Sequence, residues 1–129
     1  MALHTYYSNR SLLRVVWGPK LGMDAVSMHF ELLKANKNYD RNLRVITSTD
    51  VEEIDIPLTR ENMLLIKDWR EDALEEYRSI KSAVYNLQPV PSAYLNYFSE
   101  FFDSKKSYMR QFSSESAALA WLMKGQIAI

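Results

Sequence analysis

Short apolar runs alternate with longer amphipathic segments along most of the chain, and this alternation constrains the fold most. Strands are predicted at residues 3–8, 12–17, 43–46, 80–87 and 108–112. Helices are predicted at residues 23–35, from Thr59 to Tyr77, from Pro91 or Ser92 to about Asp103, and from Ser113 or Ser114 onward. The resulting order, β-β-α-β-α-β-α-β-α, is typical of a parallel sheet with right-handed crossovers.

We therefore predict an α/β fold with a mixed, mainly parallel sheet of about five strands, an N-terminal hairpin and four helices. The 129 residues fit one domain, residues 1–129, around a single core. Apolar residues make up 47% of the chain and charged residues 25%. Because these are ordinary values for a globular protein, they argue against a disordered chain.

Charge and cysteine content exclude several classes of function. Sixteen acidic and sixteen basic residues give a net charge of zero, so no basic footprint for nucleic acid is expected. The absence of cysteine excludes disulfides, thiolate metal sites and cysteine nucleophiles. The first residues lack the features of a secretory signal, and no apolar run approaches the ~20 residues that cross a bilayer. We expect a soluble, cytoplasmic protein.

Three stretches carry a resemblance to a known family. They are Trp17–Gly22 leading into the first helix, the strand Ile80–Tyr85 with its small Ala83, and the closing strand, cap and helix at Arg110–Leu122. Their order and spacing resemble the SpoIIAA-like proteins, a branch of the STAS (anti-sigma-factor antagonist) fold, over roughly residues 10–123. The resemblance implies a compact α/β module that works by binding a protein partner.

The same resemblance implies a regulatory phosphorylation where the third strand leads into its helix. The family's pattern there is Asp-Ser followed closely by Gly. This chain has Ile54–Glu61 at that junction, with neither the Asp-Ser pair nor the Gly, and Thr59 is the nearest positional counterpart. Thr59 is read either as a plain N-cap or as a phosphoacceptor. Ser48 is read in the same two ways, as an ordinary turn residue or as an acceptor.

The stretch Tyr94–Phe102 carries more aromatic surface than a helix on one sheet face needs. In a helix it forms two neighbouring stripes, and only one of them can pack on the sheet. The second stripe indicates a widened core, a protein interface such as a homodimer, or a pocket for an apolar ligand. The residues expected to make these contacts are Tyr94, Tyr97, Phe98 and Phe101.

No catalytic or metal-binding constellation is found. His4 and His29 lie far apart in sequence, and a metal site usually needs three or more convergent ligands. The run Gly18–Gly22 lacks the Gly-Lys-Ser/Thr ending of a P-loop and is predicted to be a strand-to-helix turn. We expect a non-enzymatic interaction module without metal or cofactor. The alternative is a binder of a small apolar or lipid-like ligand.

Overall fold

The computed structural model describes residues 3–48, 51–85, 93, 94, 96 and 106–124. Its elements, in chain order, are β1 (Leu3–Tyr7), a 3₁₀ turn (Ser8–Arg10), β2 (Leu12–Val16), β3 (Lys20–Gly22), α1 (Met23–Ala35), β4 (Asn42–Ser48), β5 (Glu53–Asp55), α2 (Arg60–Leu74), β6 (Ser79–Tyr85), β7 (Ser107–Phe112) and α3 (Glu115–Leu122).

The main sheet confirms the predicted α/β architecture. Its five strands lie in the order β1-β2-β4-β6-β7. The first two strands pair antiparallel as the predicted hairpin, and every other neighbouring pair is parallel. Hydrophobic strands that alternate with amphipathic helices produce this arrangement. Each helical crossover returns the chain to the end of the sheet where the previous strand began, so the next strand runs parallel to it.

A second, two-stranded sheet was not predicted. β3 pairs parallel with β5, and the Pro19 carbonyl accepts hydrogen bonds from the backbone N–H groups of Glu52 and Glu53 at 2.8 and 2.9 Å. The prediction of a simple turn over Gly18–Gly22 is therefore wrong for its last three residues. Strands of three residues are too short to show the alternation by which strands are predicted. Gly18 does form a turn, with a φ of +84° that favours glycine.

The helices follow the prediction with two differences. α2 has 15 residues and ends at Leu74, so it has about four turns and stops short of Tyr77. Tyr77 lies after the end of the helix but is nevertheless buried in the core. Its hydroxyl has a partner there, because it donates to the Leu33 carbonyl at 2.6 Å.

The described part of the chain contains three α-helices, not four. Most of the predicted third helix, from Pro91 or Ser92 to Asp103, lies outside the described residues. Of that stretch, Ala93, Tyr94 and Asn96 are described, and all three are helical.

The two faces of the main sheet have different cores. On one face the strand residues Leu13, Val15, Leu43 and Val45 cluster with side chains of α1 and α2. On the other face a second set of strand residues clusters with α3: Leu12, Ile46, Ala83 and Tyr85. Successive strand residues point to opposite faces, so each strand supplies both cores. Right-handed crossovers across the sheet in one direction place α1 and α2 on the same side, while α3 follows the last strand.

Candidate functional site

The start of α2 is built by local capping. The Thr59 side chain accepts a hydrogen bond from the backbone N–H of Asn62 at 3.2 Å, as predicted for an N-cap. The Asn62 side chain in turn donates to the Pro57 carbonyl at 2.9 Å, which fixes the approach of the chain to the helix. Thr59 is exposed, and Glu61 occupies the first turn. The hydroxyl is therefore both structural and accessible.

Three leucines around this helix start are exposed. Leu58, Leu64 and Leu65 have exposed fractions of 44%, 40% and 43%, and we call them the α2 patch. Glu61 and Asp68 are also exposed, and each lies four residues from a patch leucine on the same side of the helix. Arg60 and Lys67 lie four and three residues from Leu64, so the patch is an apolar surface bordered by charges of both signs, within two turns of Thr59.

Ser48, the other candidate phosphoacceptor, is not the turn residue of the alternative interpretation, because β4 extends through it to pair with β6. It is the last residue of β4, and its hydroxyl oxygen is buried. That oxygen has no hydrogen-bond partner among the residues that the structure describes. The exposed hydroxyl of Thr59 and the enclosed hydroxyl of Ser48 are therefore not equivalent as modification sites.

The predicted aromatic contact residues are described in part. The Tyr94 hydroxyl donates to the Ile56 carbonyl at 3.2 Å, and its ring packs against a cluster that includes Met63 and Ile66. Tyr94 thus belongs to the α2 side of the sheet and is half-buried there. The other three predicted contact residues, Tyr97, Phe98 and Phe101, lie outside the described residues.

A cavity of about 930 Å³ runs along the sheet beside α1 and α2 and also reaches residues of the α3 side, including Lys81, Arg110 and Trp121. Its walls are mainly apolar and include Val26, Phe30, Ile66 and Val84. Arg70 also lines it, and burial lowers the pKa of this guanidinium from its usual value. The volume is in the range of small-molecule sites, which are typically about 300–1,000 Å³.

The two histidines, distant in sequence, meet in the structure. His4 Nε2 lies 2.9 Å from His29 Nδ1, and His4 Nδ1 lies 3.1 Å from the Tyr39 hydroxyl. Burial lowers the pKa of His4 to about 4. Burial, and secondly electrostatic repulsion between the protonated forms of the two rings, lowers the pKa of His29 to about 3. Both rings are therefore neutral near pH 7. Sequence reasoning missed this pair, although the register of the hairpin carries a signal: His4 pairs with Val15, which faces α1 and α2.

Within the described ranges, no group of three or more histidine, cysteine or acidic side chains is placed to hold a metal ion. Among the helices of those same ranges, none combines the length and the apolarity that crossing a membrane requires.

Comparison with known proteins supports the fold. No family model and no curated protein matches the sequence. A solved structure of the Bacillus cell-fate determinant SpoIIAA, in its phosphorylated form, matches with a TM-score of 0.53 and 11% sequence identity. The match covers 91% of this chain and 96% of that chain. The protein therefore has a SpoIIAA-like, STAS-type fold over nearly its whole length.

Proposed function

We propose that the protein is a non-enzymatic regulatory module that binds a protein partner through the α2 patch. The observation that carries this proposal is the exposed leucine patch at the start of α2, on a fold like that of SpoIIAA. The patch lies beside Thr59, the positional counterpart of the residue that the family resemblance marks as regulatory. The α2 patch is suited to binding a partner rather than to catalysis.

The chemistry of the patch indicates the kind of partner. Burying apolar side-chain area is favourable by about 25 cal/mol per Å², so the three leucines provide a driving force for association. The bordering charges are of both signs, Arg60 and Lys67 beside Glu61 and Asp68, and they favour a partner with both acidic and basic residues around an apolar centre, because such complementarity steers association. We infer that the partner presents apolar side chains bordered by charged residues of both signs.

A comparison of matched variants tests this proposal. Leu65→Glu places a charge in the patch, whereas Met28→Glu places one at a similarly exposed apolar position of α1, where Met28 is 39% exposed. Tagged wild type and both variants would be used to capture proteins from the native host, with quantification by mass spectrometry. A protein bound by wild type and Met28→Glu but lost with Leu65→Glu is the expected result. Identical captures by all three chains would contradict the proposal.

Phosphorylation of Thr59 is a further part of the proposal. Its exposed hydroxyl and its place at a helix N-terminus, where a phosphate is stabilised by the helix dipole, support it. Glu61 acts against it by repelling the added charge. Mass spectrometry of protein from the native host should show a fraction phosphorylated at Thr59. Thr59 and Ser48 unmodified under all growth conditions would leave Thr59 as a cap alone.

Binding of a small apolar ligand is the second candidate function, and the cavity of about 930 Å³ supports it. Its largely apolar walls suit a lipid-like molecule with few polar groups. Native mass spectrometry of the purified protein distinguishes the candidates. A retained small molecule supports ligand binding, a doubled mass supports self-association through the aromatic residues at 94–101, and the bare chain mass contradicts both.

A further inference from the structure

A second, smaller cavity of about 310 Å³ lies at the carboxyl ends of β2 and β4. Residues 14–19 form one wall, and Ser48, Val51 and Tyr85 complete the lining. In open α/β sheets, ligands bind in crevices outside the carboxyl ends of the parallel strands. The small cavity occupies such a place, and no residue of the α2 patch lines it.

Ser48 gives the small cavity an unmet hydrogen-bonding group. Its hydroxyl oxygen is buried and has no partner in the described part of the chain. Buried polar atoms without a partner are rare in folded proteins, and a bound ion, water or ligand is one explanation for them. Ser48 also lines the larger cavity, so the two cavities approach each other at this side chain. A polar atom of a ligand in the small cavity would satisfy it.

Arg14 gives the small cavity a positive charge. Its guanidinium donates to the Tyr85 hydroxyl at 3.3 Å and to the Glu115 carboxylate at 2.7 Å. Burial alone would lower the pKa of Arg14, but the bonds to Glu115 and Tyr85 outweigh it, and the group stays charged. A guanidinium has five N–H donors in a planar fork that matches carboxylate and phosphate oxygens. Glu115 competes with a bound anion for these donors.

The remaining wall is apolar and open. Val16, Trp17 and Val51 provide carbon surface. Apart from the two chain neighbours of Gly18, no atom of the described residues lies within 4 Å of where a side chain at Gly18 would begin. The volume stands at the lower end of the range for small-molecule sites. The cavity thus combines one cation, two hydroxyl groups and an apolar wall at the scale of a small organic molecule.

We propose that the small cavity binds a small organic oxyanion, a carboxylate or a phosphate monoester. The oxyanion accepts hydrogen bonds from Arg14 and Ser48, and the apolar body of the ligand lies against Trp17 and Val51. This site is independent of the α2 patch, so the loss of either proposal leaves the other intact.

Titration of the ¹⁵N-labelled full chain, followed by the backbone amide signal of Gly18, tests the site. Gly18 lines the small cavity and is absent from the larger one. The probes are benzoate, inorganic phosphate and phenyl phosphate. We expect saturable shifts with benzoate or phenyl phosphate, and the stronger of the two identifies the oxyanion. Inorganic phosphate alone lacks the apolar body and should bind more weakly.

Three variants sharpen this titration. Arg14→Gln should weaken binding about tenfold, as expected for a lost charge-assisted hydrogen bond. Glu115→Gln should tighten binding, because it removes the competing carboxylate. Arg60→Gln, an exposed arginine at the start of α2, should leave it unchanged. Shifts that do not saturate, or equal affinities for all four chains, would overturn the proposal.

Thermal unfolding of Ser48→Ala gives a second, independent readout. Without ligand this variant should unfold at a higher temperature than wild type, because it removes an unpartnered buried hydroxyl. Its benzoate or phenyl phosphate binding should be weakened. Ser113→Ala, at an exposed serine outside the cavity, serves as the control. A lower unfolding temperature for Ser48→Ala would show that the hydroxyl is already satisfied and would overturn the proposal.

Discussion

The two faces of the main sheet are covered in different ways. Helices α1 and α2, of 13 and 15 residues, cover one face with an apolar core. The other face carries only the eight-residue α3 in the described part of the chain. The strands place Arg44 and Lys81 on this second face, in a register that pairs the two residues directly.

These cations hold the end of α3. Arg44 Nε donates to the Leu122 carbonyl at 3.0 Å, and Lys81 Nζ donates to the Trp121 carbonyl at 2.7 Å. The last carbonyls of a helix lack intrahelical partners and carry partial negative charge, so cations stabilise them. The Lys81 ammonium also lies 4.3 Å from the centre of the Trp121 ring.

Charge also acts on the first face, where the Lys34–Asp72 ion pair joins α1 to α2 and Arg41 donates to the carbonyls of Asn36 and Glu76 beyond the two helix ends. The comparison teaches that both faces combine burial with charge, and that α3, the shorter helix, is held at its end by cations of the sheet itself.

The largest predicted effect is on the α1 and α2 face. Leu43 is 1% exposed, so Leu43→Ala should lower the free energy of unfolding by about 2–5 kcal/mol through lost burial and a new cavity. Urea unfolding followed by circular dichroism measures this change. The control Leu3→Ala, at a position 57% exposed, should change stability by less than about 0.5 kcal/mol. Equal effects at the two positions would contradict the assigned core.

The next effect concerns the packing of α3. Ala118 is fully buried against the sheet, so Ala118→Leu should lower the free energy of unfolding by about 1–3 kcal/mol through overpacking. Ala120 lies on the same helix but is exposed, and Ala120→Leu should be nearly neutral. Chemical unfolding of both variants makes the comparison. A neutral Ala118→Leu would mean that α3 does not pack closely on this face.

Acid should loosen the α1 side through the paired histidines. Burial lowers the pKa of His4 from 6.5 to about 4 and that of His29 to about 3, so the unfolded chain takes up these protons first. Their contribution to stability is therefore complete above pH 6.5 and is lost as the pH falls from 6.5 towards 3. The free energy of unfolding of His29→Gln, measured across this range, should fall less steeply than that of wild type. Parallel pH profiles would contradict this assignment.

The smallest effect is at the end of α3. Lys81→Met keeps the apolar stem but removes the charge near the last helix carbonyls. Burial and repulsion from Arg44 and Lys124 lower the pKa of Lys81, but we expect the bond to the Trp121 carbonyl to outweigh them, so the variant should lower the free energy of unfolding by about 0.3–1 kcal/mol. Added salt should reduce the difference, because screening weakens such interactions. Lys20→Met, at an exposed lysine of β3, is the control. Equal effects of the two variants, or no effect of salt, would show that charge does not hold α3.

Local signals made much of the fold predictable. The strands of the main sheet, α1, and the caps Thr59 and Ser114 depend on residues close together in sequence, where periodicity and capping chemistry can be read. The second sheet could not be predicted, because β3 and β5 are stabilised by pairing over a long separation in sequence. The sequence indicates Ser48 as a turn residue or an acceptor after a strand ending at residue 46. Its place in β4 could not be predicted, because it depends on pairing with the distant Tyr85 of β6.

Site-specific photo-crosslinking in the native host tests the central proposal most directly. A photoreactive amino acid placed at position 65 samples the α2 patch, and one placed at position 28 samples a similarly exposed part of α1. We predict a crosslink from position 65 to a distinct protein partner and none to that partner from position 28. No crosslink from position 65, or the same products from both positions, would contradict a partner-binding role for the α2 patch.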